Sequence, residues 1–100
     1  MVRHIVFWNL SEYAENADKK TNGNIIKTKL EDLVGKIDGI VKLEVDFNYN
    51  ENGFDLCLYS IFESNEALKK YQTHPLHIEI AQFVKKVTTQ RAVTDCFIKD

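Results

Sequence analysis

Two strand-like stretches of this chain carry apolar side chains at odd and even positions alike. Around Arg3–Leu10 (RHIVFWNL), Val2, Val6 and Trp8 share one face while Ile5 and Phe7 take the other. In Phe54–Phe62, the set Phe54, Leu56, Leu58 and Phe62 lies opposite Cys57, Tyr59 and Ile61. Successive side chains of a strand point to opposite sides, so strands apolar on both sides need two covering layers.

The remaining pattern supplies one such layer. Ile26, Leu30, Leu33 and Ile37 recur at i, i+4, i+7 and i+11, which predicts a helix running to about Lys36. Gly35 and Gly39 bracket its exit. Leu76, Ile80, Phe83 and Val87 repeat the spacing behind Pro75, a residue suited to the first helical position. Lys85 and Lys86 close that helix where cations favour its dipole. Between the two, Val41, Leu43, Val45 and Phe47 alternate with Lys42, Glu44 and Asp46 as in a half-buried strand. Asn48–Gly53 (NYNENG) is dense in turn formers and predicts a hairpin into Phe54–Phe62. Ser64 is placed to cap a short helix bearing Leu68 and Tyr71, and Arg91–Ile98 reads as the last strand. The polar stretch Tyr13–Lys20 is expected to hold a loop and a helix start.

The order β-α-β-β-α-α-β, joined by right-handed crossovers, predicts an α+β fold: a four-stranded antiparallel sheet with the helices on one face. One hundred residues hold a single core, so residues 1–100 are read as one domain. The uncovered sheet face would be an apolar patch larger than monomers carry. A homodimer with its sheets face to face resolves this.

Charge and cysteine usage narrow the partners. Thirteen Lys+Arg against fifteen Asp+Glu leave a net charge of −2, whereas proteins that grip phosphate backbones are usually basic. The stretch GFDLCLYSIF (Gly53–Phe62) also lacks the basic residue and second glycine of the RNA-recognition signature. No nucleic acid is expected. The longest apolar run near the N-terminus, Ile5–Trp8, is far below the ~18 residues of a membrane span and too short for a signal-peptide core. No membrane partner is expected either. Cys57 and Cys96 form no CxxC pair and read as buried free thiols of a cytoplasmic protein, with a single Cys57–Cys96 disulfide as the alternative.

The segment KYQTHPLH (Lys70–His77) is followed by FVKKV (Phe83–Val87) and by RAVTD (Arg91–Asp95). With RHIVFWNL and GKIDGIVKLEV (Gly35–Val45), these resemble the stress-responsive A/B barrel domain, also called Dabb, over nearly the whole chain. The resemblance implies a ferredoxin-like dimeric α/β barrel. Asp38 stands where many members have proline, and Cys96 where many have tyrosine. A plant polyketide cyclase of the family uses a tyrosine and the last histidine of the motif, which by position are Tyr71 and His77. The resembling reaction is an aldol closure of a poly-β-ketone. In it, His77 removes the proton between two carbonyls and Tyr71 hydrogen-bonds the enolate.

The residues themselves fit that chemistry. If Pro75 opens the helix, His77 lies in its first turn, where the positive end of the dipole disfavours imidazolium and leaves a base. A nearby tyrosine hydroxyl would orient the ring or polarise a carbonyl. Tyr71, His74 and His77 would equally suit a structural corner, since a histidine beside a helix-starting proline can cap free N–H groups. His4, alternating with Val6 and Trp8, is expected on a pocket wall together with His74, and Trp8 with Phe7 as an apolar wall for a small aromatic or acyl ligand. No metal and no cofactor are expected: the HxxH pair offers two nitrogens, and Glu79 is turned roughly 200° from His77 on a helix. The functional expectation is a homodimer with a small-molecule cavity between sheet and helices. Cyclase-like catalysis and a non-catalytic stress-protective role are the alternatives.

Overall fold

The structure, a computed structural model, describes residues 1–99. The first strand, β1 (Val2–Leu10), alternates buried and half-buried residues along its whole length. It is followed by β2 (Tyr13–Ala14), β3 (Ala17–Asp18), α1 (Lys19–Glu31), β4 (Ile40–Phe47), β5 (Leu56–Phe62), α2 (Asn65–Thr73), α3 (Pro75–Val87) and β6 (Thr88–Phe97). The main sheet has the order β4-β5-β1-β6 with every neighbour antiparallel. This is the ferredoxin-like α+β fold expected from the sequence. Ile26, Leu30, Leu68, Tyr71, Ile80, Val84 and Val87 of the helices pack on Val2, Val6, Trp8, Leu43, Val45, Leu56, Leu58 and Phe62 of the sheet to form the core. No helix among the described residues is long and apolar enough to cross a membrane.

The polar stretch after β1 folds into the short β2–β3 ribbon, turning through Glu15 and Asn16 at φ 49° and 62°. Asn22 pins the ribbon by donating from Nδ2 to the carbonyls of Ala14 (2.9 Å) and Ala17 (3.3 Å). Asp18 then caps α1, its carboxylate accepting from the Thr21 amide at 2.9 Å.

Four expectations are corrected. First, α1 stops at Glu31 rather than near Lys36, because its hydrogen bonds tighten to i−3 spacing at Leu33 and Val34. Leu33 and Ile37 stay buried within the turns that follow, and Gly35 and Gly39 supply the left-handed conformations there (φ 88° and 92°). Second, Val41 is exposed, because a bulge between Ile40 and Lys42 lifts it out of the alternation of β4. Third, Leu76 is exposed and Phe83 half-buried on α3, since the helix packs along Ile80, Val84 and Val87 instead. Fourth, Cys96 is exposed rather than buried, while Cys57 is half-buried and burial pushes its thiol pKa up. Both thiols are free. With β1 between their strands, the two lie at least about 9.6 Å apart, beyond disulfide reach.

Gly23 sits under Phe47, whose ring would lie 2.4 Å from any Cβ added there. On the same side of the molecule, α1 seals the β4 edge. Glu31 accepts the Val45 N–H at 3.0 Å, and Lys27 donates to the Val45 carbonyl at 2.6 Å while also pairing with Glu31 at 2.8 Å. That carboxylate holds the Lys27 ammonium pKa above its ordinary value.

On the helix-free face, Ile5, Phe7, Cys57, Tyr59 and Ile61 form a central apolar strip, each half-buried by its neighbours in the sheet alone. Phe7 stacks on Phe54 with ring centroids 5.9 Å apart, so Phe54, expected on the face of Leu56, lies on the opposite one, ahead of the start of β5 at Leu56. Charged residues of β4 (Lys42, Glu44 and Asp46) flank the strip in register on one side.

Candidate functional site

The helices stop short of β6, and Val93 and Phe97 stand exposed on its helix-facing side. Between α3 and the β1–β6 pair this leaves a cleft of about 530 Å³. Its polar centre is assembled by three local devices.

Ser64 caps α2, its Oγ accepting from the Ala67 amide at 3.1 Å, and sets Tyr71 on the buried face two turns later. The chain then breaks at His74, which is extended (ψ 135°) as a residue before proline must be. The His74 ring caps α3, Nδ1 accepting from the Leu76 amide at 3.1 Å. Pro75 therefore opens α3, and His77 falls in its first turn, folded back over Tyr71 with ring centroids 4.3 Å apart. The third device is strand register. His4 and Asp95 are directly opposed across β1 and β6, and His4 Nδ1 meets the Asp95 carboxylate at 2.5 Å. Phe62 links the two halves: its ring lies 6.3 Å from His4, edge-on, and 4.9 Å from Tyr71.

Of the residues expected in a site, His4, Trp8, Tyr71 and His77 all line the cleft. His74 does not; its ring is committed to the cap between α2 and α3, so its expected place on a ligand pocket is corrected to that corner. Phe7, expected beside Trp8, faces the opposite side of the sheet. Asp95 entered the sequence reading only as part of a family pattern. Its role becomes visible once β1 and β6 are paired, because the register of two terminal strands puts it against His4. Phe62 and Arg91, which also shape the site, carry no local signal that separates them from core and surface.

The hydrogen bonds fix which ring nitrogens are free. A carboxylate and a carbonyl only accept, so His4 Nδ1 donates to Asp95, and His77 Nδ1 donates to the Gln72 carbonyl at 3.3 Å. In the neutral rings each Nε2 is then left with its lone pair. Burial holds the His77 pKa below its ordinary value, and the positive charge of Arg91 pushes the same way, while the Gln72 carbonyl opposes them. His77 is thus a neutral base near pH 7. Burial raises the Tyr71 pKa well above that of a free phenol, so its hydroxyl stays a donor. That hydroxyl has no hydrogen-bond partner among the described residues. Asn22 Oδ1 is the one described side-chain polar atom that is both sealed and unpartnered, so the Tyr71 hydroxyl is reached from the cleft. No group of three or more metal-ligating side chains occurs among the described residues.

The depressed His77 pKa links stability to pH. The unfolded ring titrates near 6.5 and the folded one lower, so below pH 6.5 the unfolded chain takes up the proton first. The stabilisation is complete above that value and is lost as pH falls through the folded pKa. The melting temperature of the wild type is expected to drop more steeply from pH 7 to pH 5 than that of His77→Gln. Parallel curves would refute this.

Comparison with known proteins places the whole architecture. The model of the Stress Responsive A/B Barrel Domain matches residues 2–98. A protein of unknown function from Bacteroides fragilis, described as dimeric with a ferredoxin-like fold, is 26% identical, with 97% of this chain and 95% of that one covered at a TM-score of 0.76. An Arabidopsis thaliana protein is 21% identical over 100% and 97% of the two chains, at a TM-score of 0.82. A hydroxynitrile lyase from Passiflora edulis is 18% identical over 99% and 94%, at a TM-score of 0.81. Similarity at that level carries the fold and not the activity. No curated protein matches the sequence.

Proposed function

Because the chain belongs to the stress responsive A/B barrel domain family, we propose that it works as a homodimer, sheet face to sheet face, whose clefts each take a small, mostly apolar carbonyl compound and move a proton on the carbon beside the carbonyl. The Bacteroides fragilis protein of the same fold is described as dimeric, and the strip of Ile5, Phe7, Cys57, Tyr59 and Ile61 suits that mode of association.

The observation that carries the chemical reading is the pairing of Tyr71, whose hydroxyl has no partner among the described residues, with the His77 ring on the wall of one cleft, ring centroids 4.3 Å apart. Water reaching the cleft satisfies that hydroxyl until a ligand oxygen takes its place. A carbonyl oxygen at Tyr71 would accept that hydrogen bond. His77 Nε2 would then take a proton from the adjacent carbon, the C–H electron pair moving into an enolate whose oxygen charge Tyr71 stabilises. Returning the proton to carbon restores the ketone, whereas attack of the enolate carbon on a second carbonyl closes a ring, as in a polyketide cyclase. His4, held by Asp95, supplies a second oriented imidazole for a proton leaving or reaching that oxygen.

The test is hydrogen–deuterium exchange of 4-phenyl-2-butanone in D₂O, followed by proton NMR. The wild type is expected to exchange the protons flanking the carbonyl faster than buffer. His77→Ala should lose about 10²–10⁴-fold of that rate, and Tyr71→Phe about 10²–10³-fold, with melting temperatures confirming folded variants. Exchange no faster than buffer, together with unmoved histidine ring resonances on adding the ketone, would overturn the proposal and leave self-association as the selected property.

A further inference from the structure

The cleft lining is electrically lopsided in a way that proton transfer does not require. Acidic residues outnumber basic ones in the chain, yet among the described residues the cleft is lined by Arg91 and Lys85 and by no carboxylate. Neither cation has a carboxylate within ion-pair distance among the described residues: none of the seven close pairs includes either, and the one at the cleft joins His4 to Asp95. Asp95, on the same face of β6 as Arg91, has one carboxylate oxygen on His4.

The two cations also gather at one end. Arg91 is in register with Trp8, whereas Asp95 is in register with His4. Four residues of strand separate these positions, about 13 Å along the backbone. On α3, Lys85 lies eight residues beyond His77, about 12 Å along the axis. The imidazoles and Tyr71 are therefore anchored at one end and the cations at the other, with Val6 between them on β1 and Trp8 beside Arg91, whose charge still reaches His77.

We infer that the compound this cleft takes is an elongated carboxylate, its anionic end held by Arg91 with Lys85 and its carbonyl at Tyr71 and His77. The inference rests on the proposed use of the cleft and names its substrate class: an oxo acid with an apolar body. Arg91 can bind a carboxylate through two parallel N–H···O bonds, a geometry that selects it over an uncharged amide of the same shape.

The full chain is to be titrated calorimetrically with 4-phenylbutanoate and with 4-phenylbutanamide at low ionic strength and neutral pH. The acid is expected to bind at least about tenfold more tightly than the amide, with the ratio shrinking in 0.5 M salt. In Arg91→Gln the ratio should fall toward one through weaker acid binding, and the unchanged amide affinity shows that the variant is folded. Equal affinities in the wild type, or an unaltered ratio in Arg91→Gln, would overturn the anionic end and leave the carbonyl site standing. No binding of either probe would likewise overturn the anionic end, and exchange of 4-phenyl-2-butanone decides the carbonyl site independently.

Discussion

Phe7→Asp is expected to halve the mass of the particle in solution, from twice the 11.6 kDa of the chain to the chain mass itself. Phe7 sits in the middle of β1 on the helix-free face, in register with Cys57 on one side and Ala92 on the other, and stacked on Phe54. In the proposed dimer this is the centre of the contact, where water is excluded and truncations have their largest effects. A carboxylate there must be buried unpaired at a cost of several kcal/mol. Each 1.4 kcal/mol is tenfold in affinity, so roughly 4 kcal/mol moves a sub-micromolar dimer to about millimolar. The cleft lies on the other face of the sheet, so the monomer should keep its helical signal. Sedimentation velocity at micromolar concentration decides the matter, and a wild type that already sediments at the chain mass would refute the dimer outright.

The second large effect falls inside the chain. Phe62→Ala is expected to cost about 3–5 kcal/mol of unfolding free energy, a large share of the roughly 5–15 kcal/mol that such domains possess. Phe62 is fully buried between Val2 and Ile40, its partners in register, and its ring touches both His4 and Tyr71. Removing it opens a cavity at the joint between the two halves of the site. Urea unfolding should show a lower midpoint with an unchanged slope, and Phe62→Leu a smaller loss. Ketone exchange should fall in Phe62→Ala although no group facing the carbonyl has been altered. A loss below about 1 kcal/mol would show that the ring does not join the two halves of the site.

The strands and helices were legible because periodicity records burial, and the sheet order followed from connection rules that depend little on sequence detail. The errors arose where one residue shifts a pattern. The bulge at Val41 and the rotated stripe on α3 follow from packing against other elements, which no local window contains. At the site, Tyr71, His77 and their corner could be read because Ser64 and Pro75 act within a few residues. Asp95 and Arg91 could not be assigned roles, since both depend on the pairing of the first strand with the last. His74 shows the converse: adjacent in sequence to the polar centre, it is spent on a cap.

The fastening of Val45 by Lys27 and Glu31 also bears on how copies of this chain can accumulate. A strand rim whose amide and carbonyl are engaged at Val45 is interrupted there as a template for incoming backbone. The β6 rim is thereby left as the more open of the two edges for ribbon growth of the kind that leads to fibrils.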